Sequence, residues 1–203
     1  MNYDPGKHHR RSLRLPGYDY SSGGAYYVTI CTRGRDNLFG DVTDAGEMVL
    51  SSLGQQVRDE WMLSEAMRKE IVLGPFQVMP NHLHGSFFIE NENYQQFEPK
   101  RQTTFPKGRK PRSVSSFIGG FKASVSKYEN YIHGTVGIST WQPNFYEHII
   151  RNEADYLRIT EYISTNPQRW LFDAENPHRI SADEFDAWLK RQINLPFHPV
   201  MLP

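Results

Sequence analysis

The apolar residues run along the chain in two rhythms. Residues 25–32, AYYVTICT, are dense in β-branched and aromatic side chains and predict a strand. After a loop over 34–46, Met48, Leu50, Leu53, Val57, Trp61 and Met62 recur at helical spacing and predict an amphipathic helix to about Met67. Residues 70–78 predict a second strand, broken at Gly74-Pro75, and 81–89, NHLHGSFFI, predict a third. Residues 91–111 lack apolar periodicity and carry Pro and charge, which predicts a long exposed loop. Ser113 then starts a helix through Phe117, Ile118, Phe121 and Val125, with Gly119-Gly120 marking a close backbone approach. Residues 131–138 predict a fourth strand, interrupted at Gly134 and Gly137. Asn152 caps a further helix carrying Tyr156, Ile159, Tyr162 and Ile163, which stops at Asn166-Pro167. Ser181 is placed to cap a last short helix with Phe185, Trp188 and Leu189, before a Pro-rich end.

The order strand–helix–strand–strand–helix–strand–helix predicts an α+β fold: a ferredoxin-like split βαβ antiparallel sheet with helices mainly on one face. No repeat interrupts it. Residues 1–24 read as a basic N-terminal arm, 25–172 as the one folded domain, and 173–203 as a C-terminal tail with a short helix.

Composition narrows the class. With 203 residues, 38% hydrophobic and 13% aromatic, the chain can build one core, and disorder throughout is excluded. No apolar run approaches the roughly 20 residues that span a bilayer, and no apolar segment follows the charged start, so a cytoplasmic protein is expected. A single cysteine, Cys31, excludes an internal disulfide framework and a cysteine zinc cage. Basic and acidic residues balance at 23 each, but unevenly along the chain. Lys7, Arg10, Arg11 and Arg14 oppose only Asp4. Lys100, Arg101, Lys107, Arg109, Lys110 and Arg112 form a run without an acid. Each is either a solvated surface or a path for phosphates.

The sharpest local feature is His82-Leu83-His84. On a strand, residues i and i+2 face the same side about 7 Å apart, so two imidazoles there can reach one divalent ion. Hydrolytic HxH frameworks fit poorly: an HxHxDH site needs an acid and a histidine where Ser86 and Phe87 stand, and a cupin-like glutamate would fall near Phe88. Tyr162 and Asn166 are spaced i, i+4, which puts them on one helix face about 6 Å apart. Should that face meet the histidine strand, the Asn166 amide oxygen completes a three-ligand site and Tyr162 brings a phenol to it. Spacing alone leaves Tyr162 open between nucleophile and core aromatic. The rivals Tyr146 and Tyr156 have Ile150 and Thr160 at i+4.

The segments YDYSSGGAYYVTICT, VMPNHLHGSFFI, SSFIGGFKASVSK and WQPNFYEHIIRNEADYLRITEYISTNP, in that order, resemble the single-tyrosine HUH transposase family, most closely its REP-associated tyrosine transposase branch. The resemblance covers about residues 11–172. It implies that His82 and His84 are metal ligands, that Tyr162 is the nucleophile, and that Asn166 is the third, amide-bearing ligand. It also implies a ferredoxin-like core and metal-dependent cleavage and rejoining of single-stranded DNA at hairpin elements, through a 5′-phosphotyrosine. Mg²⁺ and Mn²⁺ both suit such a site.

For DNA, the expected phosphate contacts are Arg10, Arg11 and Arg14 of the arm, Lys107, Arg109, Lys110 and Arg112 of the loop, and Lys122 on the following helix. Trp141, Phe145 and Tyr146 divide between base stacking and core. The partner expected is single-stranded or hairpin DNA, with no membrane, the protein acting as a monomer or homodimer. The alternative on the same fold is a non-catalytic nucleic-acid-binding regulator that stacks bases on the aromatics of the first strand. A metallo-phosphoesterase using water in place of tyrosine ranks below both.

Overall fold

The computed structural model describes residues 18–90 and 110–192. Four strands form one antiparallel sheet: β1 (Gly24–Cys31), β4 (Ile71–Met79), β5 (His82–Ile89) and β6 (Tyr146–Ile150), in the spatial order β4-β5-β1-β6. Between β1 and β4 lie a short hairpin, β2 (Gly40–Val42) with β3 (Met48–Leu50), and helix α1 (Ser52–Met67). Helix α2 (Val114–Ile132) joins β5 to β6. Helix α3 (Glu153–Thr165), a 3₁₀ turn (Pro167–Phe172) and α4 (Glu184–Gln192) follow. Read through the sheet strands alone, the order is second-third-first-fourth. This is the split βαβ arrangement expected from the element sequence.

Because β1 and β5 are interior strands, their side chains are buried on both sides. One face carries Tyr26, Val28, Ile30, Leu83 and Phe87, covered by Leu53, Val57 and Trp61 of α1 and Phe117, Ile118, Phe121 and Val125 of α2. Gly85 permits this seating: a Cβ there would lie 2.5 Å from Trp61 Cζ2. The opposite face carries Ala25, Tyr27 and Ile150 beneath Ile159, Tyr162 and Ile163 of α3 and Phe185, Trp188 and Leu189 of α4. Thus the two long helices share one face, and the shorter α3 and α4 cover part of the other. Tyr26 and Tyr27 are both buried, so neither offers a free ring for stacking bases. Trp141 is also core, packed against Phe39 and Phe121.

Helix starts follow the polar caps. Ser51 accepts from Gly54 N, Ser113 from Ser116 N and Asn152 from Asp155 N, each worth about 1 kcal/mol. The Gly74-Pro75 break is a register shift between Leu73 and Phe76, tolerated because β4 is an edge strand. Ser86 Oγ donates to the Pro75 carbonyl there.

Three expectations need correction. Residues 131–138 are not a strand: α2 runs on through Ile132, and Gly134 and Gly137 turn at φ 60° and 72°. The fourth strand is Tyr146–Ile150, paired with β1 from Ala25↔Ile150 to Thr29↔Tyr146. The helix predicted from Met48 begins at Ser52, because Met48–Leu50 pair with Gly40–Val42 instead. Ahead of α4 the carboxylate of Asp183, not Ser181, accepts from Phe185 N, and it also takes a two-pronged contact from Arg169. Among the described residues, no helix is long and apolar enough to cross a membrane.

Candidate metal and tyrosine site

The tight turn Met79-Pro80-Asn81 reverses the chain between β4 and β5, so His82 and His84 stand at the start of an interior strand. They point to the same face, opposite Cys31 and Thr29 of β1. Their Nε2 atoms converge to 2.8 Å. His84 Nδ1 meets Tyr27 Oη at 2.8 Å and Thr29 Oγ1 at 3.0 Å, and His82 Nδ1 meets Asn81 Oδ1 at 2.8 Å.

Helix α3 crosses this face and presents Tyr162, whose hydroxyl lies 3.5 Å from His84 Nε2. One turn on, Asn166 closes the helix, and Pro167 starts the 3₁₀ turn that doubles back over the site. At its end Asp173 enters. Its Oδ2 accepts from Tyr162 Oη at 3.0 Å and from Asn166 Nδ2 at 2.8 Å, and lies 3.3 Å from His84 Nε2 and 3.7 Å from His82 Nε2. All five side chains are buried. Phe185 of α4 closes the cluster, its ring flat against Tyr162 at a centroid distance of 3.7 Å.

Burial and charge set the protonation states. Burial pushes the His82 imidazole down to about 3 against the pull of Asp173. Burial alone would raise the Asp173 carboxyl, but His82, His84 and Asn166 outweigh it and hold the group ionised, well below the carboxylate range. Burial, with Tyr27 and Asp173 adding to it, pushes the Tyr162 phenol well up. The centre therefore carries a buried anionic oxygen beside two imidazoles.

His82, His84 and Asp173 can hold a metal ion, their donor atoms lying within 4.8 Å of one another. The fit is supported by a further atom: the Asn166 Oδ1 is fully buried and accepts no hydrogen bond from the described residues. Two nitrogens, a carboxylate oxygen and an unpartnered amide oxygen are a donor set that Mn²⁺ or Mg²⁺ can take. Chemically, the arrangement presents a phenol beside a cation-binding centre, which suits attack on a phosphorus ester.

The structure thus brings together the expected His82, His84, Tyr162 and Asn166. It adds Asp173, which sequence reasoning missed: the residue lies just past the resembling segment, follows Trp170-Leu171-Phe172, and has no spacing to either histidine that marks it. Asn81 was also missed, read only as the first residue of the third strand.

Of the expected DNA contacts, Arg10, Arg11, Arg14, Lys107 and Arg109 lie outside the described residues. Lys110 pairs with Asp19 at 2.7 Å. Arg112 is exposed at φ 51°, just ahead of α2. Lys122 Nζ reaches the carbonyls of Gln142, Pro143 and Asn144, which ties the approach to β6 onto α2. Phe145 packs against the first core and Tyr146 against the second.

No protein-family model matches the chain. An uncharacterized protein of Haemophilus influenzae (strain ATCC 51907 / DSM 11121 / KW20 / Rd) is 37% identical over 178 residues, which is 84% of this chain and 95% of that protein. Among solved structures, a REP-associated tyrosine transposase bound to a REP hairpin superposes with a TM-score of 0.50 at 21% identity, over 75% of this chain and 72% of that one. The chain belongs to one family with the Haemophilus influenzae protein, and its fold is that of the REP-associated tyrosine transposase.

Proposed function

We propose that this protein is a metal-dependent, transposase-type endonuclease that cuts and rejoins single-stranded DNA at hairpin elements through Tyr162. The observation that carries the reading is the position of the Tyr162 hydroxyl, 3.5 Å from His84 Nε2 and 3.0 Å from Asp173 Oδ2, over the only group of histidines and acids able to hold a metal among the described residues.

His82, His84, Asp173 and Asn166 would hold a divalent cation, Mg²⁺ or Mn²⁺, which when bound would supply charge stabilisation to the non-bridging oxygens of the scissile phosphate. Tyr162 loses its proton from Oη, which already points to Asp173 Oδ2, and attacks phosphorus. The P–O3′ bond breaks, leaving a 5′-phosphotyrosine and a free 3′-hydroxyl. Attack on the phosphotyrosine by a 3′-hydroxyl reverses the step, so strands rejoin without a nucleotide cofactor. Burial holds the Tyr162 phenol well above its ordinary range, so Oη keeps its proton in the resting site.

Tyrosine, histidines and Asp173 all come from one chain, which supports action as a monomer. The known REP hairpin ligand of the structural neighbour supports hairpin DNA as the partner. Incubation with a single-stranded hairpin oligonucleotide and Mn²⁺ is expected to yield a covalent protein–DNA adduct on a denaturing gel, and Tyr162→Phe to abolish it. An adduct that persists in Tyr162→Phe rejects the reading.

A further inference from the structure

Asn81 is fully buried, and its side-chain amide joins three segments. Oδ1 faces His82 Nδ1 at 2.8 Å. Nδ2 donates to the Arg35 carbonyl at 3.1 Å and to the Glu175 carbonyl at 2.9 Å. These contacts remove an ambiguity. A reversed amide would set its oxygen against two carbonyl oxygens, which have no hydrogen to offer, so the orientation is fixed. An amide oxygen only accepts. His82 must therefore carry its proton on Nδ1, and its Nε2 lone pair faces the site. His84 is held differently: its Nδ1 meets the hydroxyls of Tyr27 and Thr29, which can rotate to donate or accept.

The other end of the amide acts on the segment that delivers Asp173. Glu175 lies two residues beyond it, and Glu175 N donates back to Asp173 Oδ1 at 2.7 Å. Arg35 doubles the tie, its guanidinium pairing with the Glu175 carboxylate at 3.1 Å. To aim its carbonyl at Asn81, Arg35 adopts φ 63°, a left-handed conformation costly for a residue with a Cβ. The fold maintains that strain where three segments meet at the site.

We propose that Asn81 is the positioning residue of the metal centre: its oxygen presets His82 with a bare Nε2, and its nitrogen pins the segment bearing Asp173. This rests on the metal-dependent reading above, and it predicts an unequal pair, His82 preset and His84 adjustable. Loss of an outer partner of a metal-bound histidine commonly weakens affinity about 10- to 100-fold.

The test uses the full chain. In the metal-free wild type, long-range ¹H–¹⁵N spectra are expected to show His82 as the Nδ1–H form. Asn81→Ala is expected to mix the two forms and to raise the Mn²⁺ dissociation constant about 10- to 100-fold by calorimetry. Asn81→Asp retains an acceptor for His82 but loses both donations to the Arg35 and Glu175 carbonyls, so it is expected to restore the Nδ1–H form while Mn²⁺ affinity stays below wild type. An Nε2–H form in the wild type overturns the proposal, as does unchanged Mn²⁺ binding by Asn81→Ala, or loss of the Nδ1–H form in Asn81→Asp. Should Asn81→Ala not fold, the wild-type spectrum and Asn81→Asp decide. His82→Ala separates the two readings. If it abolishes Mn²⁺ binding while Asn81→Ala leaves it intact, Asn81 alone is misassigned. If His82→Ala binds like wild type, the metal centre itself is wrong and Asn81 falls with it.

Discussion

The ring of Phe185 lies flat on that of Tyr162, 3.7 Å between centroids and 7° from parallel. Tyr162 is only 3% exposed beneath it, so a phosphodiester cannot reach the phenol while α4 keeps this seat. Phe185→Ala is expected to open the site at a cost of about 3 kcal/mol in stability, the order seen for truncating a buried aromatic. Adduct formation with a hairpin oligonucleotide should then accelerate, while chemical denaturation shows the loss. A rate equal to or below wild type would mean that Tyr162 meets its phosphate with α4 in place.

The tyrosine and the histidines converge within a single chain, at 3.5 Å from Tyr162 Oη to His84 Nε2. On the proposed reading, each chain carries its own complete site. Mixing Tyr162→Phe with His82→Ala is therefore expected to form no adduct, since neither chain can supply what the other lacks. Recovery of adduct in the mixture would show that active sites are shared between protomers.

How far the sequence revealed this site depends on how each residue is placed. His82 and His84 were legible because β5 is a dense strand with a fixed period of two. Tyr162 and Asn166 were legible because α3 has a polar cap at Asn152, an apolar stripe, and an Asn-Pro stop. Asp173 is placed by a 3₁₀ turn, by hydrogen bonds to Tyr162 and Asn166 on α3 and by a contact with His84 on β5, none of which leaves a period to read. The misplaced fourth strand has a similar cause. Tyr131, Ile132, Val136 and Ile138 look strand-forming in isolation, yet helix α2 claims the first two and glycine turns divide the rest. The true strand, Tyr146–Ile150, has five residues, and its pairing with β1 sets it more than its own propensity does. The β2–β3 hairpin has three residues in each strand, too few to show alternation.

Asp173 brings a formal negative charge to a centre that the histidines and Asn166 alone would leave neutral. Mn²⁺ is expected to stabilise the folded protein by mass action, by about 2.7 kcal/mol at a hundredfold excess over its dissociation constant. For a domain of this size that is a rise of roughly 5–10 °C in Tm. Asp173→Asn removes the charge that draws the cation, and the Mn²⁺-dependent rise should shrink to less than half, with excess chelator reversing it in the wild type. An undiminished rise in Asp173→Asn, measured by scanning calorimetry, would take the carboxylate out of the metal centre.

His148 on β6 supplies a pH dependence independent of the metal. It is buried against Trp188, its Nε2 has no hydrogen-bond partner among the described residues, and burial, reinforced by Arg151, pushes its imidazole down to about 4. An unfolded chain would protonate the same residue near 6.5. Between those values the unfolded state binds the proton and the folded state does not, so stability is full above pH 6.5 and falls as the pH drops toward 4. The slope approaches about 1.4 kcal/mol per pH unit for this one group in the middle of that window. Replacing it by a side chain that does not titrate should flatten the profile: denaturation of His148→Gln at pH 7, 6, 5 and 4.5 is expected to lose less stability than wild type, by about 1 kcal/mol for each unit below 6. His82, pushed down to about 3, contributes with the same sign in both proteins and cancels in the difference. Parallel profiles for the two proteins would show that His148 is charged, or solvated, in the folded state.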